Sequence, residues 1–145
     1  MTFDQFRKVV EDTRASHHVW FALEGDLPAT DERIAEAERL LGVIFPNQYH
    51  DFLKEYGGGY FALGVVYSVQ PGSSWNVVDI NGRSFLSGLD FVAISDNGAG
   101  DLYGFRSDDG KCHPEIWVYD HETNDLRETR FKTLFEFLCN RALSK

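Results

Sequence analysis

The N-terminal part of the chain has apolar residues at the spacing of an amphipathic helix. They recur every three or four positions, at Phe3, Phe6, Val9 and Val10. This pattern predicts a helix from Thr2 to about Ala15, with Thr2 as its cap. The spacing breaks after this helix, and Val19 to Leu23 is predicted to form a short strand or an extended arm.

Two further helices are predicted between residues 30 and 56. Thr30 or Asp31 can cap the first of them, and the acidic residues that follow complement the dipole at its N-terminus. Gly42 is placed to end this helix in a left-handed conformation, and Pro46 suits the first turn of the next one. The apolar faces of the two helices consist of Ile34, Ala37, Leu40 and Leu41 and of Tyr49, Phe52, Leu53 and Tyr56.

Strand patterns dominate after three glycines, Gly57, Gly58 and Gly59, which end the third helix. The segments that follow are rich in β-branched and aromatic residues, which are typical of strands. The predicted strands are residues 60–69, 75–81, 91–95, 101–105, 115–120 and 126–131, with a hairpin turn at 121–124. A last helix is predicted from about Lys132 to Leu143.

This order of elements predicts the fold class. Helices at both ends with successive strands between them indicate an α+β fold, in which N-terminal helices and a C-terminal helix pack around a mainly antiparallel β-sheet. The length of 145 residues suits one core, and no linker interrupts the chain, so residues 1–145 are predicted to form a single domain.

Composition narrows the class of protein further. A hydrophobic fraction of 43% with 12 phenylalanines excludes a disordered chain, and no apolar run is long enough to span a membrane. The two cysteines, Cys112 and Cys139, do not make a disulfide framework, which favours a reducing compartment. We therefore expect a soluble cytoplasmic protein that does not act at a membrane.

Acidic residues are concentrated in one part of the chain. The formal net charge is −9, and residues 79–128 hold 11 acidic and 4 basic residues. Direct binding to nucleic acid is not expected, because it relies on Lys and Arg at the phosphates. Such acidity would attract a basic protein, and it would equally keep a cytoplasmic protein in solution.

The stretch SDNGAGDLYGF, Ser95 to Phe105, raises the question of a ligand site, because two carboxylates, an amide and two glycines fall within the six positions from Asp96 to Asp101. It lacks oxygen ligands at the third and fifth positions of an EF-hand loop, which are Gly98 and Gly100, and it lacks the last glycine of a dinucleotide loop. We interpret it as a tight turn in which Gly98 or Gly100 takes a positive φ. Partner recognition, or cation binding by Asp96 and Asp101, is the alternative.

No catalytic residue, metal site or cofactor is predicted. The five histidines lack the spacing of zinc ligands, and no Ser or Cys lies in a nucleophile-elbow sequence. Asp108 and Asp109 precede Gly110 as in an ordinary hairpin turn. Trp75 ends a turn-rich loop that starts at Gln70 and could expose it, and exposed Trp residues often anchor protein interfaces. It is our best single candidate for a partner contact, with burial in the core as the alternative.

The order and spacing of these motifs resemble the SMI1/KNR4 family, also called the SUKH superfamily. The helical motif consists of Ile34, Glu38, Leu41, Gly42, Pro46, Tyr49, Phe52, Leu53, Tyr56 and Gly57 to Gly59. Later motifs of the family resemble three segments of this chain, Phe91 to Phe105, Val118 to His121 and Phe131 to Leu138. The chain departs from the family at Phe45, where Leu is usual, and at Gly57, where Asn is frequent.

The resemblance implies an α+β fold without common catalytic residues. It also implies, for bacterial members, a frequent role as immunity proteins that bind polymorphic or contact-dependent toxins, often nucleases. We therefore hypothesise that the chain occludes the active site of a basic cognate toxin, with a regulatory scaffold resembling the fungal cell-wall members, or a small-ligand domain, as alternatives. The oligomeric state stays open. The candidate acidic contacts are Asp79, Asp90, Asp96, Asp101, Asp108 and Asp109.

Overall fold

Helices form the N-terminal part of the chain, and a sheet closed by a last helix forms the C-terminal part. The computed structural model describes the backbone of residues 1–145 and every side chain except that of Ser84. Its helices are α1 Phe3–Ser16, α2 Asp31–Leu41, α3 Asn47–Tyr56, α4 Val77–Asn81 and α5 Leu134–Arg141. Its strands are β1 Gly59–Phe61, β2 Gly64–Val66, β3 Phe91–Asp96, β4 Leu102–Asp108, β5 Lys111–Asp120 and β6 Asp125–Glu128. The predicted α+β fold is confirmed.

Threonine caps begin three of the helices. The Thr2 hydroxyl accepts a hydrogen bond from the Gln5 N–H, and the Gln5 side chain accepts one from the Thr2 N–H, which completes a capping box. Thr30 and Thr133 cap α2 and α5 through the N–H group three residues on. Gly42 ends α2 with a φ of 69°, which confirms the predicted left-handed termination.

Residues 75–81 were expected to form a strand, and this prediction is wrong, because they contain the short helix α4. The Asn76 side chain accepts hydrogen bonds from the N–H groups of Val78 and Asp79 and so caps the helix. Val77 and Ile80 are buried three positions apart, on one side of the helix. The cap and this burial outweigh the strand preference of β-branched residues, which depends on tertiary context.

Three smaller predictions also need correction. The expected strand or arm at Val19–Leu23 is largely a 3-10 turn, His18–Phe21, because its N–H groups bond to carbonyls three residues back. Residues 60–69 do not form one strand but fold back at Ala62, whose φ is 50°, so that β1 and β2 form a hairpin. Pro46 is the N-cap of α3 and does not lie inside its first turn.

The main sheet is antiparallel with the strand order β3-β4-β5-β6. The β1–β2 hairpin lies beside β3, since the Ser95 hydroxyl donates to the Val65 carbonyl over 2.7 Å and the Tyr67 N–H donates to the Ile94 carbonyl over 2.8 Å. The chain reverses between β3 and β4 at residues 97–101 and between β5 and β6 at residues 121–124. Both reversals therefore lie at the same end of the sheet.

Phe6 lies at the centre of an aromatic cluster that joins the terminal helices to the rest of the core. Its ring stacks on Phe135 with centroids 4.7 Å apart, and it lies 6.0 to 6.4 Å from the rings of Phe52, Tyr56 and Phe61. Aromatic side chains bury large apolar areas and gain from such ring geometry. The cluster therefore holds α1, α3, β1 and α5 together.

The glycines Gly57 to Gly59 let the chain after α3 touch the segment before α2. All three have a positive φ. The Asp26 N–H donates to the Gly58 carbonyl over 2.8 Å, and Gly25 forms a β-bridge with Gly59. A Cβ atom on Gly57 would overlap the carbonyl oxygens of Asp26 and Leu27. Glycine is required here both by backbone conformation and by lack of space.

Replacing Gly57 with alanine should therefore cost far more stability than replacing Gly42. Gly42→Ala meets no atom within 4 Å and carries only the strain of a positive φ, so it should lower the free energy of unfolding by about 1 to 2 kcal/mol. Gly57→Ala adds a backbone overlap, so a loss of roughly 4 kcal/mol or more, or failure to fold, is expected. Urea unfolding followed by circular dichroism measures both, and equal losses would contradict the close contact.

Candidate functional site

A cleft opens between the β1–β2 hairpin, the loop after β3 and helix α5. Its volume is about 470 Å³, within the range of roughly 300 to 1,000 Å³ that is usual for binding sites. We call it the aromatic cleft. Most of its lining is apolar, and its large apolar side chains include Leu23, Tyr60, Leu63, Trp75, Tyr103 and Phe137. Asp96, Asn97 and Gly98 form one polar edge, and Arg141 lies at α5.

Trp75 forms part of the wall of the aromatic cleft. Its ring lies 5.5 Å from Tyr60 and stacks 6.4 Å from Tyr67, so it is partly buried and not fully exposed. The backbone N–H of Trp75 donates to the Ser73 hydroxyl over 3.0 Å, and this hydroxyl donates to the Asp26 carboxylate over 2.6 Å. The loop therefore holds the indole at a fixed place in the wall. Whether Trp75 contacts a partner stays a prediction.

The residues Asp96 to Asp101, here called the glycine loop, are held by internal hydrogen bonds. Asp96 accepts one from the Tyr67 hydroxyl over 2.7 Å and one from the Gly98 N–H over 2.9 Å. Burial and this carboxylate raise the pKa of Tyr67, so the hydroxyl stays protonated and remains a donor. The Asn97 side chain accepts from the Asp101 N–H over 3.2 Å. The loop is therefore a tight turn, and both of its glycines have a positive φ.

Asp101 connects the glycine loop to the turn between β5 and β6. Its carboxylate accepts hydrogen bonds from the Nδ1 of His121 over 2.7 Å and from the His121 N–H over 3.1 Å. The His121 side chain lowers the pKa of Asp101, and Asp101 in turn raises the pKa of His121. A Cβ on Gly100 would overlap the His121 ring, so glycine permits this contact. The pair stabilises the two turns against each other.

The six predicted acidic contacts do not form one face. Asp96 and Asp101 lie at the end of the sheet that carries the glycine loop, which we call the loop end. Asp90, Asp108 and Asp109 lie at the opposite end, beside the β4–β5 hairpin. Asp79 is exposed on α4, outside the sheet. The strands between the two ends are six to ten residues long, or about 20 to 33 Å.

The loop end also contains acidic residues that the sequence analysis did not select as partner contacts. Asp120 lies 2.6 Å from Arg127, while Glu122 and Asp125 are exposed in the adjoining turn and strand. Asp101, Asp120 and His121 have ligand atoms within 4.8 Å of one another. These three side chains already pair with each other or with Arg127, so the geometry is explained without a metal ion.

The sequence analysis did not select most residues of the aromatic cleft, and the reason is physical. They come from distant segments, namely the chain before α2, the β1–β2 hairpin, β4 and α5. Tyr60 lies between the buried Gly59 and Phe61, and Leu63 lies in the turn that follows, so the pattern indicates an outward side but not a neighbour. Their exposed fraction of 42% each is the signal that the structure adds. Among the helices described, none has the length and apolarity to cross a membrane.

A comparison with protein families identifies the chain. Residues 31–138 match the family model SUKH_6, which is described as SMI1-KNR4 cell-wall. The chain belongs to the SMI1-KNR4 family. None of the curated proteins that were compared matches it. Membership confirms the resemblance inferred from the helical motif, the glycine run and the glycine loop. Proteins of the SMI1-KNR4 family are generally not catalytic.

The matched region of this SMI1-KNR4 protein contains Tyr60, Trp75 and the whole glycine loop. Leu23 and Arg141, which line the aromatic cleft, lie outside residues 31–138. Helix α1 and its aromatic residue Phe6 also precede the match. The cleft therefore combines a wall from the family region with side chains contributed by the ends of the chain.

The pairing of Asp101 with His121 predicts a pH-dependent stability. The raised pKa of His121 in the folded state means that its contribution is full below the ordinary value of 6.5 and is lost as pH rises through the folded value. The lowered pKa of Asp101 means that its contribution is lost as pH falls through a value below 3.8. His121→Gln should therefore destabilise the protein more at pH 5.5 than at pH 8.5.

Urea unfolding of the wild type and His121→Gln at the two pH values measures this difference. His113→Gln, which changes an exposed histidine on β5, is the matched control and should show no comparable difference. A destabilisation by His121→Gln that is the same at both pH values would contradict an ionic contribution from the pair.

Proposed function

We propose that this SMI1-KNR4 protein is an immunity protein that binds a cognate bacterial toxin in the cytoplasm and occludes its active site. Family membership supports a protein as the general kind of partner. The observation that carries the proposal is the open aromatic cleft, which the Asp96 carboxylate of the loop end borders. Apolar anchors next to charged residues are the arrangement that protein interfaces use.

The hydrogen bonds of Asp96, which lines the cleft, and of the polar groups beyond it favour binding over chemistry. Tyr67, Asp96, Asp101 and His121 are engaged in hydrogen bonds within the protein. A general base needs a lone pair that can reach a substrate proton, whereas these groups hold one another in place. Such a frame keeps the surface in a fixed shape, and a fixed shape lowers the ordering cost of binding.

The acidic character of the chain supports a basic partner. With a formal net charge of −9, the protein attracts positively charged surfaces over a distance of about one Debye length, roughly 8 Å at physiological salt. If the toxin is a nuclease, its nucleic-acid groove is basic, and carboxylates would occupy the positions of phosphates. This attraction mainly raises the rate of association.

Two alternatives each have one observation in their favour. The cleft volume of about 470 Å³ is large enough for a small organic ligand. The term cell-wall in the family description favours a regulatory interaction domain instead. Calorimetric titration with calcium, magnesium and nucleotides distinguishes the first alternative, since clear heats would support a small-ligand site and argue against the immunity role.

Co-expression with the protein encoded by the neighbouring gene tests the immunity role. We expect that protein alone to stop growth of a bacterial host and the pair to restore it, because occlusion removes toxin activity. The two chains should also co-purify as a stable complex in size-exclusion chromatography. Restored growth without a stable complex would contradict occlusion, and toxicity that persists would contradict the immunity role itself.

A further inference from the structure

We propose that the aromatic cleft receives a bulky apolar side chain of the partner and that Lys or Arg residues beside it face the carboxylates of the loop end. This inference rests on the proposed function, because it names the surface and the chemistry of the same partner. It makes the glycine loop the boundary between an apolar and an acidic half of one interface.

The apolar half follows from exposure around the cleft. Leu23, Tyr60 and Leu63 are exposed to 61%, 42% and 42%, although they line the same cleft as the partly buried Trp75. Several large apolar side chains around one concave surface mark a contact site more strongly than scattered ones. A side chain that enters the cleft would remove apolar area from water on both partners.

The acidic half follows from the balance of charges at the loop end. Asp120 pairs with Arg127 and Asp101 pairs with His121. Among the described side chains, Asp96, Glu122 and Asp125 form no salt bridge. Asp96 also lines the cleft itself, so a carboxylate without a salt bridge stands directly beside the apolar wall. The surface next to the cleft therefore attracts a cation.

A basic side chain of the protein also lines the cleft. Arg141 lines the cleft from α5, and its guanidinium lies 5.4 Å from the Tyr103 ring centroid. Like charges brought together are unfavourable, so a basic residue of the partner is disfavoured at this wall. It is favoured at the loop end, where Asp96, Glu122 and Asp125 lie.

Selection from a displayed library of random 12-residue peptides on the intact wild-type protein tests the chemistry. We expect enriched peptides to carry Trp, Phe, Leu or Met next to Lys or Arg. The variants Leu63→Ser and Tyr60→Ser, made separately, should raise the dissociation constant of a selected synthetic peptide by about tenfold. Leu40→Ser, which changes an exposed leucine on α2, is the matched control and should leave it unchanged. Enriched acidic peptides, or equal binding to all variants, would overturn the proposal.

A charge swap tests the acidic half with a control of equal net charge. Glu122→Lys combined with Asp125→Lys should weaken the same peptide about tenfold and reduce the dependence of its affinity on salt. Asp90→Lys combined with Asp108→Lys makes the same change at the opposite end of the sheet and should alter affinity less than about twofold. Equal losses in the two double variants would mean that only overall charge matters, which overturns the proposal.

The same variants in the co-expression assay separate this inference from the proposed function. If the wild type restores growth and the double variant Leu63→Ser with Tyr60→Ser does not, the immunity role and the cleft as its binding surface are both supported. If this double variant restores growth fully, the immunity role stands and the cleft is not its surface. If the wild type fails to neutralise but binds the selected peptides through the cleft, the immunity role fails and the surface stands. Circular dichroism verifies that each variant is folded. Size-exclusion chromatography of the wild type shows whether two copies associate, and a dimer that forms through the cleft would overturn the proposal.

Discussion

The contact between Gly57–Gly59 and residues 25–27 is the constraint on which the rest of the structure depends. It turns the chain from α3 into the β1–β2 hairpin, and only glycine leaves room for the neighbouring carbonyls. It also fixes Asp26, whose carboxylate accepts hydrogen bonds from Ser68 and Ser73. Because Ser73 in turn holds Trp75, one backbone contact determines where the wall of the aromatic cleft stands.

The glycine loop connects this frame to the sheet. Asp96 bonds to Tyr67, which follows β2, while Asp101 bonds to His121, which follows β5. Its two carboxylates therefore act first as structural acceptors, and the turn that they hold has the cleft on one side and the acidic turn on the other. Internal pairing does not remove the charge of Asp96, so a structural role and a contribution to recognition are compatible at the same residue.

Part of the site could be read from the sequence, and part could not. Trp75 and Asp96 were selected, and both line the cleft. Asp79, Asp90, Asp108 and Asp109 were grouped with them because they are close in sequence, but antiparallel strands carry neighbours in the chain to opposite ends of a sheet. Asp120 and His121 were not selected, because nothing local shows that their turn lies beside the glycine loop.

By itself the sequence determined the elements whose signals are local: the periodic helices α1, α2, α3 and α5, their threonine and glycine caps, and the strands of the main sheet. These follow from side-chain spacing and hydrogen bonds within a few residues. The tertiary structure decided that residues 77–81 form a helix, since burial of Val77 and Ile80, together with the Asn76 cap, outweighs weak β-propensity. It also decided that the segment after α3 folds back at Ala62 into a hairpin. The tertiary structure also determined where the cleft forms, because a concave surface built from distant segments exists only after these segments pack together.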